Sequence, residues 1–216
     1  MIITKKKEFQ EIIKNLEGER SVFLVGCGEC STTCKTGGEK EVLEMKDLLE
    51  KNGIRVSGYV IPDAPCVASG VRIALAKNKK AIDEADSILV LACGLGGQSV
   101  KENQFSPKNV HIACDTVSMG QVDKAGVFLE HCSACGECIL EKTDMICPVT
   151  RCPKGLLNGP CGGQSNGKCE VDKEKDCVWI VIYESLKKKN KLHFLADINP
   201  PKNHSKSIKP RYTRIN

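Results

Sequence analysis

Residues 21–30 read SVFLVGCGEC, and residues 37–53 read GGEKEVLEMKDLLEKNG. The first is a short apolar run ending in glycine and cysteine, the pattern of a buried strand (Val22–Val25) entering a loop. The second is a helix with Val42, Met45, Leu48 and Leu49 on one face. Glu39 and Glu41 suit the positive end of its dipole, and Gly53 stops it. A buried strand followed by an amphipathic helix is half of a βαβ unit.

Outward from this stretch the pattern repeats. IRVSGYVIP (54–62) reads as a second strand, VASGVRIALAKNKKAIDEA (67–85) as mostly helix, SILVLACG (87–94) as a third strand and NVHIACDTV (109–117) as a fourth. Upstream, residues 4–17 (TKKKEFQEIIKNLE) carry Phe9, Ile12, Ile13 and Leu16 at helical spacing, with Gly18 as a stop. Strands alternating with helices predict an α/β fold: a small parallel sheet with flanking helices, flavodoxin- or Rossmann-like. Near residue 125 hydrophobic periodicity fades, and cysteine, glycine and proline take over until CVWIVIYESLKKKNK (177–191). There Val178, Ile182 and Leu186 return to helical spacing. The expected organisation is an α/β domain over 1–125 with an N-terminal cysteine site, a small irregular cysteine-rich metal-binding domain over 126–190, and a basic, proline-containing tail over 191–216. The stretch NPPKNHSKSIKPRY is expected to be extended and ordered only against a partner.

The chain has 14 cysteines, and eight of them lie from Cys132 to Cys177. The N-terminus (MIITKKKEFQ) offers no apolar stretch for a signal peptide, and no run approaches a membrane span. A cytoplasmic protein with reduced thiols is therefore expected, and clustered reduced thiols ligate metal far more often than they form disulfides there. Of the net charge of +5, the segment 187–216 contributes nine Lys/Arg against the single acid Asp197. The basicity thus belongs to the tail. Without interleaved aromatic residues it gives no basis for nucleic-acid binding.

Cys132-x-x-Cys135-x-x-Cys138 is the rhythm with which successive thiolates reach the corners of one cubane. Cys147-Pro148 echoes ferredoxin-type ligation at a longer spacing, and Cys152, Cys161, Cys169 and Cys177 follow. Eight thiolates supply two four-ligand centres. A segment this poor in large apolar residues needs such staples. Iron–sulfur clusters suit the triplet spacing better than zinc, which prefers paired knuckles across a loop, but zinc at one site stays open. Near the N-terminus, Cys27, Cys30 and Cys34 follow the first strand, Cys66 the second, and Cys93 ends the third. In a parallel sheet those loops share the ligand-binding edge. Five cysteines then compete for four seats: Cys30, Cys34, Cys66 and Cys93 form one set, with Cys27 as substitute or neighbour. Cys114 reads as core. The glycines at 26, 28, 37 and 38 do not form G-x-G-x-x-G, which speaks against a dinucleotide site. His131 adjoins Cys132 as a ligand or hydrogen-bond donor. No Ser-His-Asp, His-Glu-x-x-His or paired-carboxylate pattern is present, so no catalytic residues are assigned.

The stretches CGECSTTCKTGGEKEV, LACGLG, CSACGEC and ICPVTRCPKGLLNGPCGGQSNGKCEVDKEKDCVWIVIYESL together resemble the MetV-type subunit of methylenetetrahydrofolate reductase of acetogenic and related anaerobic bacteria. They also resemble the C-terminal domain family appended to some such reductases. The resemblance implies an iron–sulfur electron-transfer subunit with two or three [4Fe–4S] clusters, zinc being possible in place of one. It implies a partner, the flavin-containing catalytic subunit, which carries the FMN and performs the folate chemistry. It also implies a donor such as ferredoxin or another redox subunit. The implied ligands are Cys27, Cys30, Cys34, Cys66 and Cys93 for one centre, and Cys132, Cys135, Cys138, Cys147, Cys152, Cys161, Cys169 and Cys177 for the others. Two other functions compete with this one. One is a zinc-stapled, non-redox adaptor of the same or a similar complex. The other is an enzyme in its own right, with a ligand in the sheet-edge cleft.

Overall fold

The computed structural model describes residues 1–214; the last two residues of the tail expected over 191–216 lie outside the described residues. Packing divides the chain into two compact units, Met1–Ser118 and Met119–Asn216.

The first unit is mixed α/β. Four strands, β2 (Ser21–Val25), β3 (Arg55–Val60), β4 (Ser87–Val90) and β5 (Asn109–Ile112), form a fully parallel sheet in the order β3-β2-β4-β5. The apolar runs at 21–25 and 87–90 become the two central strands, where every residue is buried. Buried on both faces, they show a continuous apolar run rather than alternation. Each strand feeds two cores. Val22, Leu24 and Leu89 pack with Ile12 and Leu16 near α1 (Phe9–Asn15) and with Val42, Met45 and Leu49 of α3 (Glu39–Lys51). Phe23, Val25, Ile88 and Val90 pack on the other face. Their partners are Val71 and Leu75 of α4 (Ala68–Lys77), Ile82 of α5 (Lys79–Asp83) and Val100 of α6 (Gly94–Asn103). The chain steps outward from β2 to β3 and then crosses back to β4. The strand order therefore reverses between β2 and β4, which makes their C-terminal ends the switch point of the sheet.

Two local expectations need correction, and a third, that 67–85 is mostly helix, holds with a break. The segment 4–17 is not one helix. Ile2–Lys6 is a strand, β1, and the helix begins only at Phe9. Ile3 and Thr4 are buried there, and the Thr4 and Thr36 hydroxyls lie 2.6 Å apart. Tertiary pairing overrides a lysine-rich local sequence. The fourth strand breaks after Ile112. Ala113 still donates to the Val90 carbonyl (2.9 Å), but its own carbonyl accepts from the Lys7 amide (2.9 Å), and β6 (Cys114–Val122) turns into a different sheet, ordered β1-β6-β7 with β7 at Phe128–Glu130. The helix over 67–85 is two helices, separated at Asn78, whose side chain caps the first by donating to the Ala74 carbonyl (2.9 Å).

In the second unit the end of β6 pairs antiparallel with β7 (Phe128–Glu130). Asp123 shapes the turn by accepting from the Ala125 and Val127 amides at 2.8 and 2.9 Å. A short helix, α7 (Pro148–Arg151), precedes the one long helix of this unit, α8 (Val178–Lys188). The core here is small: Cys177, Val178, Trp179, Ile182 and Leu186, with Ile146, Cys152, Leu156 and Phe194 against it. The Trp179 indole donates to the Leu156 carbonyl (3.1 Å), and Asp144 ties the preceding turn to α8 through Ser185 (2.5 Å) and Lys189 (2.7 Å). The tail carries single turns at Leu192–Leu195 and His204–Ser207. Among the described residues no helix is long and apolar enough to cross a membrane.

Candidate metal centres

The first group of thiols sits at the switch point. Cys27 follows β2 directly, and its amide donates to the Gly37 carbonyl (2.8 Å). That bond folds the loop back over the sheet. Gly37 is required there, because a Cβ would fall inside the Leu91 carbonyl. Cys30 opens the short helix α2 (Cys30–Thr33), Cys66 lies in the loop after β3, and Cys93 caps α6 after β4. Cys27 and Cys93 are buried at 5% and 6% exposure, whereas Cys66 is exposed. All four lie in loops that follow strands of the parallel sheet. Partial burial pushes the Cys66 thiol up from its ordinary value, and negative charge on Cys93, Cys27 and Cys30 pushes it further. Such mutual repulsion between thiolates is what a bound cation relieves.

Cys34 and Cys30 both lie against the backbone of Ile2: the Cys34 thiol is 3.8 Å from the Ile2 carbonyl, and the Ile2 amide meets Cys30 Sγ at 3.5 Å. The charge of Cys34 bears on Cys114, which is a core thiol as expected: buried, 3.5 Å from the Thr36 carbonyl, and pushed up to about 12 chiefly by burial. The Ser31 hydroxyl, fully buried next to Cys30 in the chain, has no hydrogen-bond partner among the described residues.

In the second unit the cysteines fall into two regions. Cys152, Cys161, Cys169 and Cys177 line one cavity with about 20 Å³ of free space, beneath Trp179. Backbone pairing sets this up. Asn166 and Gly167 take left-handed conformations and turn the chain, Lys168 bridges to Asp176, Cys169 donates to the Lys175 carbonyl (2.9 Å), and Cys177 donates to the Gly167 carbonyl (2.7 Å). Lys154 and Glu170 pair at its rim. Hydrogen bonds from Lys154 and then Cys161 hold the Glu170 carboxyl below the usual range.

The other region is the loop Cys132–Cys138. Ala134 and Gly136 both have positive φ, 52° and 81°, so the chain turns sharply after each of the first two cysteines. The Ala134 amide points at Cys132 Sγ (3.3 Å), an N–H···S contact of the kind that stabilises thiolate charge. Cys147 caps α7, with Pro148 at the first helical position. His131 is pushed down from its ordinary value by burial and then by the charge of Arg151, so the start of this loop lies near the end of α7. Among the described residues no three Cys, His, Asp or Glu side chains already stand grouped as a ligand set. Each cluster of cysteines is a neighbourhood of thiols, not a closed coordination shell.

Sequence reasoning passed over Glu137, Lys202, Lys206 and Arg211, which surround this loop. The available signal was an acid inside the cysteine triplet and a tail of opposite charge.

The fold and its thiol clusters define an α/β protein with a cysteine-rich second unit. Residues 111–205, less than half of the chain, match the family described as methylene-tetrahydrofolate reductase C terminal. No curated protein matches the chain. Among solved structures, a LacI family transcriptional regulator from Arthrobacter sp. FB24, in complex with lactose, is similar at 14% identity and a TM-score of 0.35. That match covers 48% of this chain and 39% of the regulator, and it bears on neither fold nor ligand.

Proposed function

We propose that this chain is an iron–sulfur electron-transfer subunit that passes electrons to a flavin-containing methylenetetrahydrofolate reductase catalytic subunit. The reading is supported by the placement of Cys27, Cys30, Cys66 and Cys93 in the loops that follow the strands at the switch-point edge of the sheet. The family match over 111–205 supplies the enzyme system.

Cys27, Cys30, Cys66 and Cys93 would hold one [4Fe–4S] cluster, with Cys34 as a neighbour. Cys132, Cys135, Cys138 and Cys147 would hold a second. Clusters bound there supply one-electron steps, which a flavin on the partner can accept singly or in pairs. The chain's own residues position and insulate. Buried Cys27 and Cys93 keep water from one side of the first site, and exposed Cys66 leaves the other side open to a donor or acceptor. Cytoplasmic location and a donor such as ferredoxin belong to the same proposal.

A second metal reading is favoured at one place. The cavity between Cys152, Cys161, Cys169 and Cys177 has space for about one water-sized guest, which suits a single zinc ion better than a cubane. This site is proposed as structural.

The test is anaerobic purification followed by iron, zinc and acid-labile sulfide analysis, with visible spectra before and after dithionite. About eight irons with equal sulfide, about one zinc and bleaching on reduction are expected. A colourless protein holding zinc alone would replace the electron carrier with a zinc-stapled adaptor.

A further inference from the structure

We propose that the tail segment 202–211 is a built-in strap that holds the Cys132–Cys138 loop in its binding shape, with Lys202, Lys206 and Arg211 as positioning residues. The inference rests on the reading of that loop as a metal-binding turn, but the strap itself is defined by hydrogen bonds between tail and loop.

Those contacts converge on three residues of the stretch 134–137. Lys206 Nζ lies 2.8 Å from the Glu137 carboxylate, whose other oxygen accepts from the Asn203 amide at 2.9 Å. Lys202 donates to the Glu137 backbone carbonyl, and Arg211 donates to the Ala134 carbonyl. The backbone carbonyl of Lys206 stands 2.9 Å from where a Cβ would sit on Gly136, so only glycine lets the two chains approach this closely. The tail is shaped for this: the Asn203 side chain accepts from the Ser205 amide (3.0 Å) and starts the turn that presents Lys206.

One exposed ion pair stabilises little by itself. Here, though, four donors and a close backbone contact act on a turn with two left-handed residues, one of them Ala134. The tail supplies hydrogen-bond donors to the loop carbonyls at 134 and 137, the second of which also receives the Cys135 thiol at 3.7 Å.

The test is hydrogen–deuterium exchange of the anaerobically purified full-length chain against three variants: one ending after Pro201, K206A/R211A and K206R. Exchange at amides 132–138 should rise by roughly tenfold on truncation and several-fold in K206A/R211A, while K206R stays near the parent. Protection of α8 serves as the folding control. If truncation unprotects α8, the double variant in the intact chain decides the matter. Unchanged exchange at 132–138 in K206A/R211A with α8 protected would overturn the strap. Metal content measured on the same samples separates the two ideas. A parent without metal removes the ligand role of the loop, while its exchange pattern still decides whether the tail braces it.

Discussion

The two units carry similar numbers of thiols but stand in opposite relations to them. In Met1–Ser118 a parallel sheet has a core cluster on each face, and of the cysteines only Cys27 belongs to those clusters. The thiols at its switch point are placed by a scaffold with its own apolar core. In Met119–Asn216 five residues make the buried core, and Cys177 is one of them, with Cys152 packed against it. There the thiols belong to what must hold the fold together. On the proposed reading, one unit would position its metal and the other would depend on it.

Metal removal should separate the units most sharply. A strong chelator under anaerobic, reducing conditions is expected to abolish the cooperative melting of the second unit and quench the packed environment of Trp179, the only tryptophan. The first unit should retain its own transition, because binding free energy is folding free energy only where no core exists beforehand. Simultaneous loss of both transitions would break the comparison.

Phe23→Ala attacks the other side. Phe23 is fully buried at the centre of the sheet and lies against Gly58. A loss of about 3–5 kcal/mol in the first unit is expected by denaturant titration, with the tryptophan transition unmoved.

Among the N-terminal thiols, Cys66→Ser should remove about four irons per chain, whereas Cys34→Ser should remove none. Equal losses would place Cys34 inside the ligand set and Cys66 or another thiol outside it.

The smallest effect concerns pH. Asp86 accepts from the Arg20 and Ser21 amides at 2.8 and 2.9 Å, and these two bonds, the first foremost, hold its carboxyl below the ordinary range. A depressed folded-state value stabilises above the unfolded value near pH ~3.9 and is lost as pH falls through the folded one. Asp86→Asn should therefore lower the stability of the first unit modestly at neutral pH and flatten its acid limb, as read by thermal melts from pH 7 downward.

What was legible in the sequence follows the same division. SVFLV and SILV announce central strands because burial on both faces demands unbroken apolar runs. The glycines of GLGGQSVKEN hide α6, since helix propensity is poor there. They are needed because Gly96 sits within about 3 Å, at its would-be Cβ, of Ala92 and Pro65. Strand β1 hides inside a helix-like pattern because its partner lies more than a hundred residues away. The edge that gathers the N-terminal cysteines could be inferred from strand order alone. Which of them face one another depends on the loop path fixed by Gly37, and that is a packing fact. The role of the tail was illegible for a similar reason: opposite charge at Glu137 and Lys206 is common on any surface, and only the close approach at Gly136 makes it specific.

The most direct measurement of the central claim is electron transfer itself. The dithionite-reduced chain, freed of excess reductant, would be mixed anaerobically with a separately purified flavin-containing methylenetetrahydrofolate reductase catalytic subunit, and the flavin absorbance followed. The account predicts that the flavin bleaches as the chain's visible absorbance returns, and that Cys66→Ser slows or stops the exchange. A flavin left oxidised beside a reduced, metal-loaded chain would contradict it.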